Sequence, residues 1–195
     1  KINNMILPIS AYGDPVLRNK CISINENHED LNSLIKNMWD TMYSANGVGL
    51  AAPQIGESLR LFIVDASPFS KDEELSLDER KKVSMFKKVF INPKIVWSST
   101  DFNSFNEGCL SIPDVREDII RENEIEIHFK NEKFENKILK LNGLCARVVQ
   151  HEFDHIEGVL FTDKLSSFKK KILKGKLNNI SKGKIDTDYL MNFPI

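Results

Sequence analysis

The sequence predicts an α+β fold built on largely antiparallel sheet, and three observations carry that expectation. Leu31, Leu34, Ile35, Met38, Trp39, Met42 and Tyr43 recur at helical spacing, which puts one apolar stripe on a helix. Ile125, Ile127 and Phe129 alternate with Glu124, Glu126 and His128, the period of a strand with one wet face. Strand-like segments come in blocks and helical ones are segregated from them, whereas a parallel α/β chain would interleave the two.

The first helix is expected from about 28 to 45, with Gly47 placed to end it. Residues 59–65 and 88–92 are rich in Val, Ile and Phe and read as strands. Between them, residues 66–88 run from acidic (Asp72, Glu73, Glu74, Asp78, Glu79) to basic (Arg80, Lys81, Lys82, Lys87, Lys88), the composition of a surface insertion. A further helix is expected over 143–156, carrying Leu144, Val148 and Val149 and stopped by Gly158. Leu165, Phe168, Ile172, Leu173, Leu177 and Ile180 then mark the stripe of a basic C-terminal amphipathic helix within 163–181.

At 195 residues and 41% hydrophobic, the chain is sized for a single catalytic domain, 1–195. Its 27 basic and 28 acidic residues exclude a globally basic nucleic-acid binder and leave room only for a local patch. No run approaches the roughly 18 apolar residues of a membrane span. The polar start, Lys1-Ile2-Asn3-Asn4, lacks the apolar core of an export signal, so the expected location is cytoplasmic. Residues 1–4 precede a more hydrophobic stretch at Met5 and read either as an extension or as a non-native remnant. Three cysteines, Cys21, Cys109 and Cys145, cannot build a disulfide framework and suit a reducing compartment.

The run His151-Glu152-Phe153-Asp154-His155 carries the chemistry. On a helix, residues four apart share a face with Cβ atoms about 5–6 Å apart, so both imidazoles can reach one divalent cation. Glu152, one position along, can contact a water on that cation without taking a coordination site, as a general base must. Two histidines are one ligand short of a catalytic tetrahedral site. The zinc-protease extension fails, because Gly158 is present but the next ligand position holds Phe161; Glu157 points to a different side of the helix. Cys109, preceded by Gly108, is the better third ligand, although judged alone it reads more often as a small buried residue, the reading favoured for Cys21 and Cys145.

Three segments in register, Gly47-Val48-Gly49-Leu50-Ala51-Ala52-Pro53-Gln54, Glu107-Gly108-Cys109-Leu110-Ser111 and Gln150-His151-Glu152-Phe153-Asp154-His155, resemble the peptide deformylase family of bacterial type. Tyr12-Gly13-Asp14-Pro15-Val16-Leu17-Arg18 and Ile112-Pro113 extend the similarity over most of residues 5–165. The resemblance implies sheets packed around a central metal-binding helix and an enzyme that removes the N-terminal formyl group from formyl-Met nascent polypeptides, releasing formate. It implies Cys109, His151 and His155 as ligands of one divalent metal per chain. Fe2+ is the usual physiological ion, and Zn2+, Ni2+ or Co2+ can substitute.

The same resemblance makes Glu152 the general base and acid, with the Leu110 backbone N–H and the Gln54 amide as donors to the developing oxyanion. Val48, Gly49, Phe105, Leu144 and Val148 are expected to bind substrate, with Arg116 on the peptide backbone beyond the methionine. Arg147 is assigned to the rim, its guanidinium in water. Glu107 and Arg121 are expected to pair and orient the cysteine segment, and Asp154 to hold or solvate its helix.

Eight lysines lie between Lys164 and Lys184. They read either as a solvated face or, by the same resemblance, as a contact with ribosomal RNA near the nascent chain. Two other functions stay open on the sequence: a zinc metallopeptidase, disfavoured by Phe161 and Cys109, and a catalytically dead, metal-stabilised ribosome-binding module, disfavoured by Glu152 and Gln54. No free nucleic acid and no membrane is expected as a partner.

Overall fold

The computed structural model describes residues 5–194, and the reading of residues 1–4 as an extension lies outside them. In chain order the regular elements are β1 (Ile9–Ser10), α1 (Leu31–Ser44), β2 (Gly49–Ala51), β3 (Leu61–Asp65), α2 (Leu77–Ser84), β4 (Lys87–Ser98), β5 (Phe102–Cys109), β6 (Ile112–Glu122), β7 (Glu124–Lys130), β8 (Asn136–Asn142), α3 (Gly143–Ile156), α4 (Ser167–Ser181) and β9 (Met191–Asn192). An antiparallel five-stranded sheet has the order β2-β3-β4-β7-β8, β5 pairs with β6 as a separate hairpin, and β1 pairs with β9 in parallel. The fold is α+β, as the segregation of strand and helix patterns predicts. Among the described residues no helix is long and apolar enough to cross a membrane.

β3 explains why α3, the helix that carries His151 and His155, sits where it does. All five of its residues are buried, and its side chains alternate between two cores. Phe62 and Val64 face Val148, Val149 and Ile156 of α3, whereas Leu61 and Ile63 face Ile35, Met38 and Met42 of α1. The sheet is therefore clamped between the two helices, and each such side chain contributes about 1.5–3 kcal/mol by leaving water. A third core joins Ile112, Val115 and Ile119 of β6 to Leu160, Phe161, Leu165, Leu177 and Ile180, which fastens α4 and the turn after α3 to the hairpin.

Three expectations are corrected. Asn46 (φ 55°), not Gly47, takes the left-handed turn that ends α1; Gly47 is required for close approach, since a Cβ there would lie 2.8 Å from Leu110 Cδ1. The strand expected over 88–92 runs on through Pro93 to Ser98, because a register shift between Ile91 and Lys94 accommodates a residue with no N–H to give the ladder. On α4 only Leu177 and Ile180 are buried, with Leu173 packed beside them; Phe168 and Ile172 are exposed. The apolar set there is wider than the buried face, and those two positions lie on its far side. The 66–88 stretch carries α2, buries Val83 and Phe86 in the core, and offers Glu79 Oε1 to the Leu144 N–H at the start of α3.

Candidate metal centre and active-site cleft

Three elements build the site. α3 supplies His151, Glu152 and His155, β5 supplies Cys109 at its end, and the turn after β2 supplies Gln54. Gly158, at φ 75°, stops α3 one turn after His155; a Cβ there would collide with the Arg18 carbonyl. Between Gly108 and Cys109 the hairpin register jumps, from Gly108 opposite Arg116 to Cys109 opposite Ile112, so Pro113, Asp114 and Val115 bulge out beside the thiol. The bulge gives a cysteine at the end of a regular ladder the freedom to turn toward α3.

One ligand atom from each of Cys109, His151 and His155 lies within 4.8 Å of the others, with Cys109 Sγ 3.3 Å from His155 Nε2. Glu107 Oε2 lies 3.0 Å from His151 Nδ1, so the opposite ring nitrogen is left for coordination. The donor set fits a divalent transition-metal ion. A second observation agrees: Glu152 is buried, and its Oε2 has no hydrogen-bond partner among the described residues. A carboxylate oxygen buried without a partner is costly unless water or a reacting group fills its place. Gly49 makes room for it, since a Cβ there would collide with Glu152 Oε1. Burial pushes the Glu152 carboxyl up to about 7, against the pull of His151 and Arg121.

Gln54 is 1% exposed and rigidly held. Its Oε1 accepts from the Ala51 N–H at 2.8 Å, which turns Nε2 toward Ser111 Oγ (3.2 Å) and Cys109 Sγ (3.6 Å). Val48, Gly49, Phe105, Leu110, Arg116, Val148 and Glu152 all line one cleft of about 480 Å³, a size that suits a small ligand or a chain end. Phe69, Asn106 and Tyr189 line it too and were not legible as site residues: Phe69 and Tyr189 come from segments without a motif, and Asn106 stands one residue outside the cysteine motif. Leu144 does not line the cleft; it is buried in the core beneath it, one helical turn before Val148. Arg116 is tied to Asn106 through Nε (2.8 Å) and Nη2 (2.6 Å).

Behind the candidate ligands lies a buried charge network larger than the expected pair. Arg121 grips Glu107 with two hydrogen bonds (2.7 and 2.9 Å) and Asp154 with a third (2.6 Å). Arg147 is the correction here: it is 4% exposed, not wet at the rim. Its guanidinium donates to Glu107 Oε1 (2.9 Å), to the Ile119 carbonyl (3.0 Å) and to Asn103. Burial alone would raise the Glu107 pKa, but Arg121 and His151 hold it well below the usual carboxylate range. Glu107 thus serves two arginines and a histidine of the candidate metal site. Phe161, rejected as a ligand, stacks on the His151 ring (centroids 6.1 Å apart), and Glu157 turns away to pair with Arg60 and Lys20.

Cys21 and Cys145 sit in the core beneath the sheet, where burial pushes both thiols up to about 11. A raised pKa keeps a thiol protonated and unreactive at lower pH. Iodoacetamide at about pH 8 is therefore expected to leave both unmodified in the folded protein and to reach them only after denaturation. Adducts on either in the native protein, read by peptide mass spectrometry, would contradict this.

A cysteine sulfur, two imidazoles and a buried carboxylate at one end of a cleft are the outfit of a mononuclear metal-dependent hydrolase. A family model for polypeptide deformylase matches residues 6–171. The peptide deformylase of Christiangramia forsetii is 56% identical over 190 residues, 97% of each chain. That of Flavobacterium johnsoniae is 54% identical, over 97% of this chain and 96% of its own. A solved peptide deformylase from Legionella pneumophila superposes with a TM-score of 0.77 at 34% identity, over 92% of this chain and 98% of that one. The chain belongs to the peptide deformylase family.

Proposed function

We propose that the cleft takes the N-terminus of a formyl-methionyl nascent chain and hydrolyses its formamide bond, releasing formate. The observation that carries this reading is a buried Glu152 oxygen with no partner among the described residues, beside a convergent cysteine sulfur and two imidazoles. A divalent cation held by Cys109, His151 and His155 would lower the pKa of a water from 15.7 toward about 7 and polarise the formyl oxygen. Glu152 takes the proton of the attacking water and returns it to the departing amine. Gln54 Nε2 and the Leu110 N–H donate to the oxygen that gains charge. Val48, Phe105 and Val148 offer an apolar wall to the methionine thioether. β2 is an edge strand of the sheet, so an extended substrate can pair with its backbone. We assign Fe2+ as the physiological ion on the family likeness; anaerobic purification and metal analysis test that choice.

The test is to incubate the metal-loaded protein with a formyl-Met peptide and to measure formate and free amine. Formate supports the reading, cleavage at internal peptide bonds supports a peptidase, and neither product supports a non-catalytic module. Gln54→Ala is expected to lower kcat by about 10²–10³-fold with the metal retained, the usual cost of one oxyanion donor. A change confined to KM would remove Gln54 from that role.

We propose the cytoplasm as the place of action, where nascent chains emerge, and the ribosome as a docking partner of α4. Lys164, Lys169, Lys170 and Lys176 each bind a group of this chain: Asp154, Glu117, the Asp163 carbonyl and the Asp114 carbonyl respectively. Lys171, Lys174, Lys182 and Lys184 are exposed and carry the proposal. Changing these four to glutamine is expected to weaken salt-sensitive ribosome co-sedimentation while sparing hydrolysis of short peptides; unchanged co-sedimentation would leave α4 a solvated face.

A further inference from the structure

The turn that follows the metal-ligating cysteine is poorly held by its own hairpin. The β5–β6 ladder loses register between Gly108 and Cys109, and only the single pair Cys109–Ile112 closes the turn beyond the jump. The residues between, Leu110 and Ser111, are instead pinned by groups from three distant parts of the chain. Gln54 Nε2 donates to Ser111 Oγ at 3.2 Å, and the Tyr12 N–H donates to the Ser111 carbonyl at 2.8 Å. The third pin is Tyr189, whose Oη donates to the Leu110 carbonyl at 2.7 Å.

Tyr189 is well placed to act as a pin. The residue lies 79 positions beyond Leu110, is half-buried, and lines the cleft while packing into the core to which Leu110 contributes. Its own backbone is anchored on both sides. Thr187 Oγ1 donates to its carbonyl, and the next residues are stitched to β1 by Ile9 N–H to the Leu190 carbonyl (2.9 Å) and Ala11 N–H to the Asn192 carbonyl (2.8 Å). The residue after Ala11 is Tyr12, another of the three pins. The segment that carries Tyr189 and the strand that leads into Tyr12 are thus one paired unit, and the unit grips both residues of the turn.

We propose that Tyr189 is a positioning residue: its hydroxyl fixes the Leu110 carbonyl, and with it the torsions that direct the Leu110 N–H toward the reacting carbonyl of the substrate. This rests on the deformylase reading and gives the C-terminal segment a part in the active site. Removing only the hydroxyl, by Tyr189→Phe, keeps the ring that packs against the same core as Leu110. One neutral hydrogen bond lost from a positioned donor is expected to lower kcat for a formyl-Met peptide by about three- to tenfold. KM is expected to stay within about twofold and metal content to match the parent protein.

Amide hydrogen exchange supplies the readout that needs no substrate. Leu110 and Ser111 amides are expected to exchange faster in Tyr189→Phe, with β1 and β3 amides unchanged. A kcat equal to that of the parent overturns the proposal whatever the exchange shows. So does a kcat loss without faster exchange at the turn, a loss that follows metal content, or one that accompanies faster exchange throughout the fold. If the parent protein itself releases no formate, the deformylase reading fails and the catalytic part of the proposal with it; the exchange data still decide whether Tyr189 holds the turn.

Discussion

Glu152→Ala in the metal-loaded protein is expected to lower kcat for formate release by about 10²–10⁴-fold, the range spanned by a positioned proton-transfer group. The structure adds two expectations that separate loss of chemistry from loss of structure. Glu152 is not a ligand, so metal content should stay at the level of the parent. Among the described residues no ion pair holds it and its buried Oε2 has no hydrogen-bond partner, and a buried carboxylate oxygen left unpaired is a burden on the folded state. The variant should therefore unfold at the same or a higher temperature while losing activity. Equal activity in the two proteins would remove Glu152 from proton transfer. A collapse in Tm would show that the carboxylate has structural partners.

Glu107→Ala is expected to have the opposite signature. It leaves Arg121 (3% exposed) and Arg147 (4% exposed) buried beside each other without the carboxylate that both hold. Breaking a buried charge network from one side costs about 3–5 kcal/mol, to be read by chemical denaturation. His151 Nδ1 loses its acceptor at the same time, and loss of such an orienting group typically weakens metal binding about 10–100-fold. Glu107→Gln keeps one acceptor oxygen and should fall between the two. A Glu107→Ala protein that holds both its midpoint and its metal would mean that Arg121 and Arg147 find other partners.

The parts of this protein legible in the sequence are those where one physical rule acts alone. The helix over 143–156 has its boundaries where Gly143 and Gly158 put them, because periodic apolar residues and a left-handed glycine point to the same ends. The expected Glu107–Arg121 pair is present at 2.7 Å. Where two rules compete, the local one misleads. The Val/Ile/Phe-rich run ends at 92, yet a bulge in β4 carries the strand on through Pro93 to Ser98. Arg147 argues for water, and a carboxylate forty residues away in sequence outweighs that preference. Leu144 and Val148 lie one turn apart on α3, and only the packing of the sheet decides that Val148 meets the cleft while Leu144 goes under it. The β5–β6 hairpin carries Glu107 and Cys109, yet its alternation is masked by exposed Phe102 and Ile120. Tyr189 has no local signal, since its meaning is a contact made across the whole chain.

The open edge of the five-stranded sheet sets a problem of self-recognition. A strand whose backbone can accept an extended chain can in principle accept the strand of another copy, and exposed edges are where sheets begin to stack. β2 is three residues long and runs directly into a helical turn at Ala52–Ile55, so a chain end can pair with it but a long strand finds no continuation. β8, at the opposite edge, is longer and carries Lys137 and Lys140, with Ile138 exposed; there like charge repels a second copy. The same sheet is thus receptive on one side and guarded on the other, and brevity lets the receptive side tell a guest from a twin.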